Sequence, residues 1–156
     1  MAEIEYHPYV MAHVQPVIDL QEKYKIVTQA YASLAPTTRH PTGGPLKPVL
    51  GKVAAALTSE SGVQVDESGV LLLWIMAKGG VCITSSGSEE RIQKMADLEK
   101  VRDLKKDEVS AIDEAGKKVH FRQWVCTDIT SRELMLTLQD EHMTTDFPSP
   151  SLPSDL

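Results

Sequence analysis

The sequence predicts an α/β fold with about three parallel strands and flanking helices, and three observations carry that prediction. Short β-favouring runs alternate with helical patterns through the first 120 residues, the order expected of parallel βαβ units. The composition, 42% hydrophobic and 24% charged, is that of a folded globular chain. The 156 residues suit a single domain.

The elements follow in order. Ile4, Glu5 and Tyr6 begin a first short strand that ends at His7-Pro8, because proline has no N–H and restricts the residue before it. Val14, Val17, Ile18 and Tyr24 recur at helical spacing over 13–24, with Pro16 expected in the first turn. Residues 25–31 (KIVTQAY) read as a second strand. A loop over 32–48 holds four of the nine prolines and the Gly43-Gly44 pair, the pattern of a functional lid or a disordered segment.

A helix is expected over 49–57. A second follows from Asp66 as N-cap, with Val70, Leu71, Trp74 and Ile75 on its apolar face and Gly79-Gly80 as its stop. Residues 81–84 (VCIT) form a third strand, a Ser/Gly turn leads to a helix over 88–98, and 105–115 form a last amphipathic helix with Gly116 as its C-cap. A parallel sheet of only three strands leaves two unpaired edges, so something else is expected to close it. Residues 130–143 carry Leu134, Met135 and Leu138 at helical spacing, and 144–156 are rich in Pro, Ser and Asp, a composition that predicts disorder.

Several function classes are excluded. A formal charge of −6 without clustered Lys and Arg argues against a nucleic-acid partner. The longest apolar run, 70–77, is too short for a membrane span. The first residues lack the basic and apolar regions of a signal peptide, so a cytoplasmic location is expected. Cys82 and Cys126 match no metal or redox spacing, and Cys82 reads as a small buried hydrophobe.

Glu3, Glu5 and His7 alternate onto one face of the first strand, with Ile4 and Tyr6 on the other. A carboxylate and an imidazole sharing a face form a candidate acid/base pair. Glu5 and His7 are therefore candidate catalytic residues.

Residues 3–9 (EIEYHPY) resemble the sixth-strand segment NQIEYHPY of the aldo-keto reductases, and 26–31 (IVTQAY) resemble their seventh strand. Residues 70–74 (VLLLW) are similar to the QVLLRW helix, and 81–91 (VCITSSGSEER) to the eighth strand and its phosphate-binding turn. The likeness covers residues 3–121, and the wording around Tyr31 and 41–46 looks most like fungal members.

That resemblance implies a partial (β/α) TIM-barrel-like unit over 1–121, followed by a non-family tail with a helical pattern in 122–143 and a disordered stretch over 144–156. It also implies that the Asp/Tyr/Lys/His tetrad of the family belongs to the first four strands, which have no counterpart here. Barrels of this family carry their active sites at the C-terminal ends of the strands, which places Tyr31 and the loop residue His40 beside Glu5 and His7 as further candidate catalytic residues. Tyr31 also matches the ring that stacks on the nicotinamide, and Ser86 and Arg91 match residues that hold the adenosine 2′-phosphate. Glu3, Ser33, Ser85 and Met95 depart from the family's glutamine, proline, lysine and asparagine. Three functions follow as expectations. The preferred one is a repurposed enzyme, of the kind found in fungal secondary metabolism, doing acid/base chemistry on a small molecule without a cofactor. The second is an NADP(H)-dependent carbonyl reductase subunit completed by a partner chain, and the third is a non-catalytic binding module. A homo-oligomer or a barrel-completing partner is expected under each.

Overall fold

Three parallel strands in the order β1-β2-β3 form the centre of the computed structural model, which describes residues 1–123. They are β1 (Ala2–Glu5), β2 (Thr28–Tyr31) and β3 (Val81–Cys82). The register pairs Ala2 with Thr28 and Glu5 with Tyr31 on one side, and Gln29 with Val81 on the other. Helices α1 (Met11–Lys23), α2 (Ala35–Thr38), α3 (Leu46–Ser61), α4 (Glu67–Ala77), α5 (Glu89–Ala96) and α6 (Lys106–Gly116) connect and follow them, with a 3₁₀ turn over Asp97–Lys100. The α/β class and the three parallel strands are those the sequence predicts. The tail readings for 124–156 lie outside the described residues.

The core is built on α4, which the sequence marks as the most apolar segment. Val70, Leu71, Leu72, Leu73, Trp74 and Ile75 are all buried. At roughly 1.5–3 kcal/mol for each large side chain taken out of water, this one helix supplies a substantial part of the drive to fold. Its start is set by Asp66, whose carboxylate accepts from the Gly69 N–H at 2.8 Å. Helix α4 packs against α3 and β3, and α3 packs against α6. Trp74 ties the layers: its ring lies 5.5 Å from Tyr6 beyond β1, and its Nε1–H donates to Asp113 of α6 at 2.9 Å. Burial, together with the Asp113 and Glu22 carboxylates, pushes the Tyr6 hydroxyl up to about 12. No helix among the described residues is long and apolar enough to cross a membrane.

Several boundaries differ from the sequence reading, each for a local reason. The second strand begins at Thr28 rather than 25, because Lys25 adopts φ 54° and donates with Ile26 to carbonyls at the end of α1. The third is two residues long, since only β2 pairs with it; Ile83 adds one more bond, to the Ala30 carbonyl at 3.0 Å. Pro16 lies in the second turn of α1, on an exposed side. Val17, expected on the apolar face of α1, is 43% exposed, while Ile18 is buried.

Gly116 is the last residue of α6 rather than its C-cap. A Cβ there would come within 2.6 Å of the Pro8 carbonyl oxygen, so glycine is required by the close approach of α6 to the chain leaving β1.

The two faces of the sheet are unlike. Ile4, Ala30, Cys82 and Tyr6 belong to the core packed beneath the helices. The alternate residues, Glu3, Gln29 and Val81, then Glu5 and Tyr31, form the second face. Glu3, Val81 and Ile83 are exposed there, whereas Glu5 and His7 at the strand end are fully buried.

Candidate functional site

Active sites of barrels built from βα units lie at the C-terminal ends of the strands, and most of the candidate residues gather at that edge. Glu5 closes β1 and His7 follows it. The His7 Nε2 and Glu5 Oε1 are 3.0 Å apart, with side chains 0% and 1% exposed. A carboxylate on Nε2 orients the imidazole and places the second ring nitrogen inward. That nitrogen, Nδ1, is buried and makes no hydrogen bond among the described residues. Tyr31 stands beside Glu5 in the sheet, half-buried, and its carbonyl accepts from the Tyr6 N–H at 3.2 Å.

His40 reaches this group only through a third ring. Phe121 lies 6.4 Å from His7 and 5.2 Å from His40, edge-on to the latter. The imidazole of His40 packs on Tyr9 at 5.3 Å and its Nδ1 accepts from the Thr42 N–H at 3.4 Å, so it makes no direct bond to Glu5 or His7. Glu5, His7 and Tyr31 thus share one strand end, and His40 borders it from the loop.

The 32–48 segment is a built connection. Ala32 takes φ 52°, turning the chain sharply out of β2 into α2. Ser33 is buried and donates to the Ala30 carbonyl at 3.2 Å. Tyr9 then pins the far part of the loop, donating to the Gly43 carbonyl at 2.7 Å and accepting from the Leu46 N–H at 3.1 Å. Burial raises the Tyr9 hydroxyl above its ordinary value. Gly44, at φ 56°, passes so close that a Cβ would stand 2.5 Å from the Tyr9 oxygen. Tyr9 and Phe121 both shape the site, and neither is among the residues the sequence singles out. For Tyr9 the available signal is its place in the EYHPY motif; for Phe121 nothing local marks it.

Ser86 lies in the turn between β3 and α5, and Arg91 in the first turn of α5. The Ser86 Oγ accepts from the Ser88 N–H at 3.1 Å, and the Ser88 Oγ caps α5 by accepting from the Arg91 N–H at 3.4 Å. The Arg91 side chain is exposed. Glu89 and Glu90 occupy the first turn of α5, where carboxylates favour the helix and oppose an incoming anion. Glu90 is held below its ordinary range by the Lys94 ammonium, 2.8 Å away.

Clefts open on the surface among the described residues. One of about 330 Å³ is lined by Tyr6, Met11, Lys25, Thr28, Lys78 and others at the N-terminal ends of the strands, the end that barrels use for stability. One of about 320 Å³ lies against the pinned loop, between His40, Thr42, Lys47 and Glu67. Among the described residues no group of three or more His, Cys, Asp or Glu is placed to hold a metal.

With this geometry in place, the chain can be set beside known proteins. It is 26% identical over 124 residues to the NAD/NADP-dependent indole-3-acetaldehyde reductase of Schizosaccharomyces pombe, a match covering 79% of this chain and 40% of that protein. The aldose reductase of Giardia lamblia superposes with a TM-score of 0.60 at 21% identity, over 77% of this chain and 38% of that one. A protein solved in complex with NADPH superposes at 0.55 and 19% identity, over 72% and 36%. No protein-family model matches the chain. The structural likenesses show the fold, and this chain spans about two-fifths of the length of each of these proteins. One expectation is corrected by these relatives. The sequence reading prefers a protein that works without a cofactor, whereas the curated relative is an NAD/NADP-dependent reductase and a structural neighbour was solved with NADPH.

Proposed function

We propose that the chain forms the nucleotide-binding sector of an NAD(P)H-dependent carbonyl reductase, corresponding to the C-terminal part of an aldo-keto reductase barrel whose remaining strands are supplied from outside it; its similarity to an NAD/NADP-dependent reductase and to solved aldo-keto reductases supports this. One observation carries this reading. The parallel order β1-β2-β3 sets Tyr31, at the end of β2, and the Ser86–Arg91 turn, after β3, at the same edge of one sheet. A dinucleotide has an apolar ring at one end and an anionic phosphate at the other, and these residues suit both.

When bound, the nicotinamide supplies a hydride to a carbonyl carbon. The half-buried Tyr31 ring offers that nicotinamide a flat apolar face and excludes water from one side of it. The exposed Arg91 guanidinium gives a planar fork of donors suited to a 2′-phosphate. Ser86 adds a hydroxyl, and the first N–H groups of α5 point the same way. Glu89, Glu90 and Glu3 weigh against tight binding, because each brings a negative charge toward an anionic ligand. The proton for the developing alkoxide is assigned to no residue of β1–β3; it falls to the strands that complete the barrel. The substrate class is a small carbonyl compound.

Titration with NADPH and NADH, followed by the fluorescence of the reduced nicotinamide, tests this. Arg91→Ala should weaken NADPH roughly 10- to 100-fold, the value of a lost charge-assisted contact, and leave NADH nearly unchanged. Tyr31→Ala should weaken both. Failure of the unaltered chain to bind either nucleotide overturns the proposal.

A further inference from the structure

Residues 120–123 cross the same strand end at which the nucleotide reading places the nicotinamide. Five separate contacts hold them there. The Phe121 N–H donates to the Tyr9 carbonyl at 3.3 Å, and the Phe121 ring fills the space between His7 and His40. The Gln123 N–H donates to Glu5 Oε1 at 2.6 Å, and the Arg122 Nε lies 3.6 Å from the other carboxylate oxygen. His120 lays its ring on His13 of α1, with centroids 3.7 Å apart. Glu5 is a buried carboxyl group, and N–H donors or a guanidinium beside it are what make such a group tolerable away from water.

This contact is on the face of the sheet that the helices leave open. Glu3 and Val81, further back along that face, are exposed, so the burial of Glu5 and His7 is local to the end that the segment covers. Tyr31 is the register partner of Glu5. Neighbouring strands are about 4.8 Å apart, so the backbone of Tyr31 lies one strand spacing from that of Glu5, the residue to which the segment is bonded. A nicotinamide stacked on Tyr31 would take up space at this same strand end.

We propose that residues 121–123 form an autoinhibitory strap, latched on the Glu5 carboxylate and seated between His7 and His40, which excludes the dinucleotide from Tyr31 until it lifts. The inference rests on the nucleotide-binding reading above. Strap and nucleotide compete for one volume, so each disfavours the other to the same degree. If the strap is closed in about nine molecules of ten, it weakens apparent nucleotide affinity about tenfold, and loosening it restores that factor.

NADPH binding to the full chain is measured for the unaltered protein, for the Phe121→Ala/Arg122→Ala double variant and for Arg122→Ala alone. The Arg122 side chain is 39% exposed, so the single variant keeps the fold even where the double one does not. Amide exchange at residues 121 and 123 is followed with and without saturating NADPH. The expected result is binding about 5- to 10-fold tighter in the double variant, a smaller gain in the single one, and loss of amide protection at 121 and 123 on NADPH addition. Equal or weaker NADPH binding in the variants, with protection unchanged by NADPH, overturns the strap and leaves the nucleotide reading intact. Absence of NADPH binding in all three proteins overturns both.

Discussion

Replacing Gly116 by alanine and Gly51 by alanine makes the same chemical change in two helices, and the structure predicts opposite signs. Gly51 lies inside α3, and the nearest atom to an added Cβ there is Glu67 Oε1 at 3.9 Å, an ordinary contact. Gly51→Ala should therefore gain the helix propensity of alanine, about 0.5–1 kcal/mol. Gly116 ends α6, and a Cβ there would stand 2.6 Å from the Pro8 oxygen, 2.7 Å from its Cβ and 2.9 Å from its carbonyl carbon. Those atoms are the backbone and ring of a residue with fixed φ, so they move only by shifting the chain that leaves β1. Overpacking of this kind costs about 1–3 kcal/mol, more than alanine returns at a helix end. The two variants should differ by about 2–3 kcal/mol in urea unfolding followed by circular dichroism, with unaltered slopes. Gly116→Ala as stable as the parent would refute the argument that α6 is docked on Pro8 by backbone contact.

Two further outcomes are expected. Glu60 is lowered to about 2 from an ordinary 4.5 by hydrogen bonds from Arg102 and then Lys105, which join the end of α3 to the approach to α6. A depressed carboxylate contributes stability above its unfolded value that is lost as pH falls through its folded one. The urea midpoint of the parent should thus fall between about pH 4.5 and 2 more steeply than that of Glu60→Gln; equal slopes would remove Glu60 as a cause. The Cys82 thiol is pushed up to about 11 by burial and points at the Leu72 carbonyl, 3.4 Å away. Iodoacetamide at neutral pH should label it far more slowly in the native protein than in urea, as read by peptide mass spectrometry, because the thiolate is the reactive form; equal rates would contradict its burial.

Much of the site's frame is legible in the sequence, for reasons particular to each part. Strand alternation puts Glu5 and His7 on one face because the period of a strand is two whatever the tertiary context, and they are hydrogen-bonded to each other. Phe121, Arg122 and Gln123 are not legible there as part of the site. The Glu5–Gln123 bond spans 118 residues, and no local spacing encodes a contact between segments that far apart. His40 shows the same limit. The sequence places it on the correct loop, but its orientation toward Tyr9 and Phe121 follows from the hydroxyl of Tyr9 fastening Gly43 and Leu46.

The sequence by itself determined the α/β class, the apolar α4 with its Asp66 cap, and the likeness to one family of barrels, because periodicity, capping chemistry and motif wording are local properties. Only the tertiary structure decided that the second strand starts at Thr28, that Val17 is exposed while Ile18 is buried, and that Gly116 serves contact rather than capping. It alone decided that the chain after α6 returns to the Glu5 carboxylate. A buried carboxyl group must find partners wherever the fold brings donors to it, and that requirement is settled by packing rather than by neighbours in sequence.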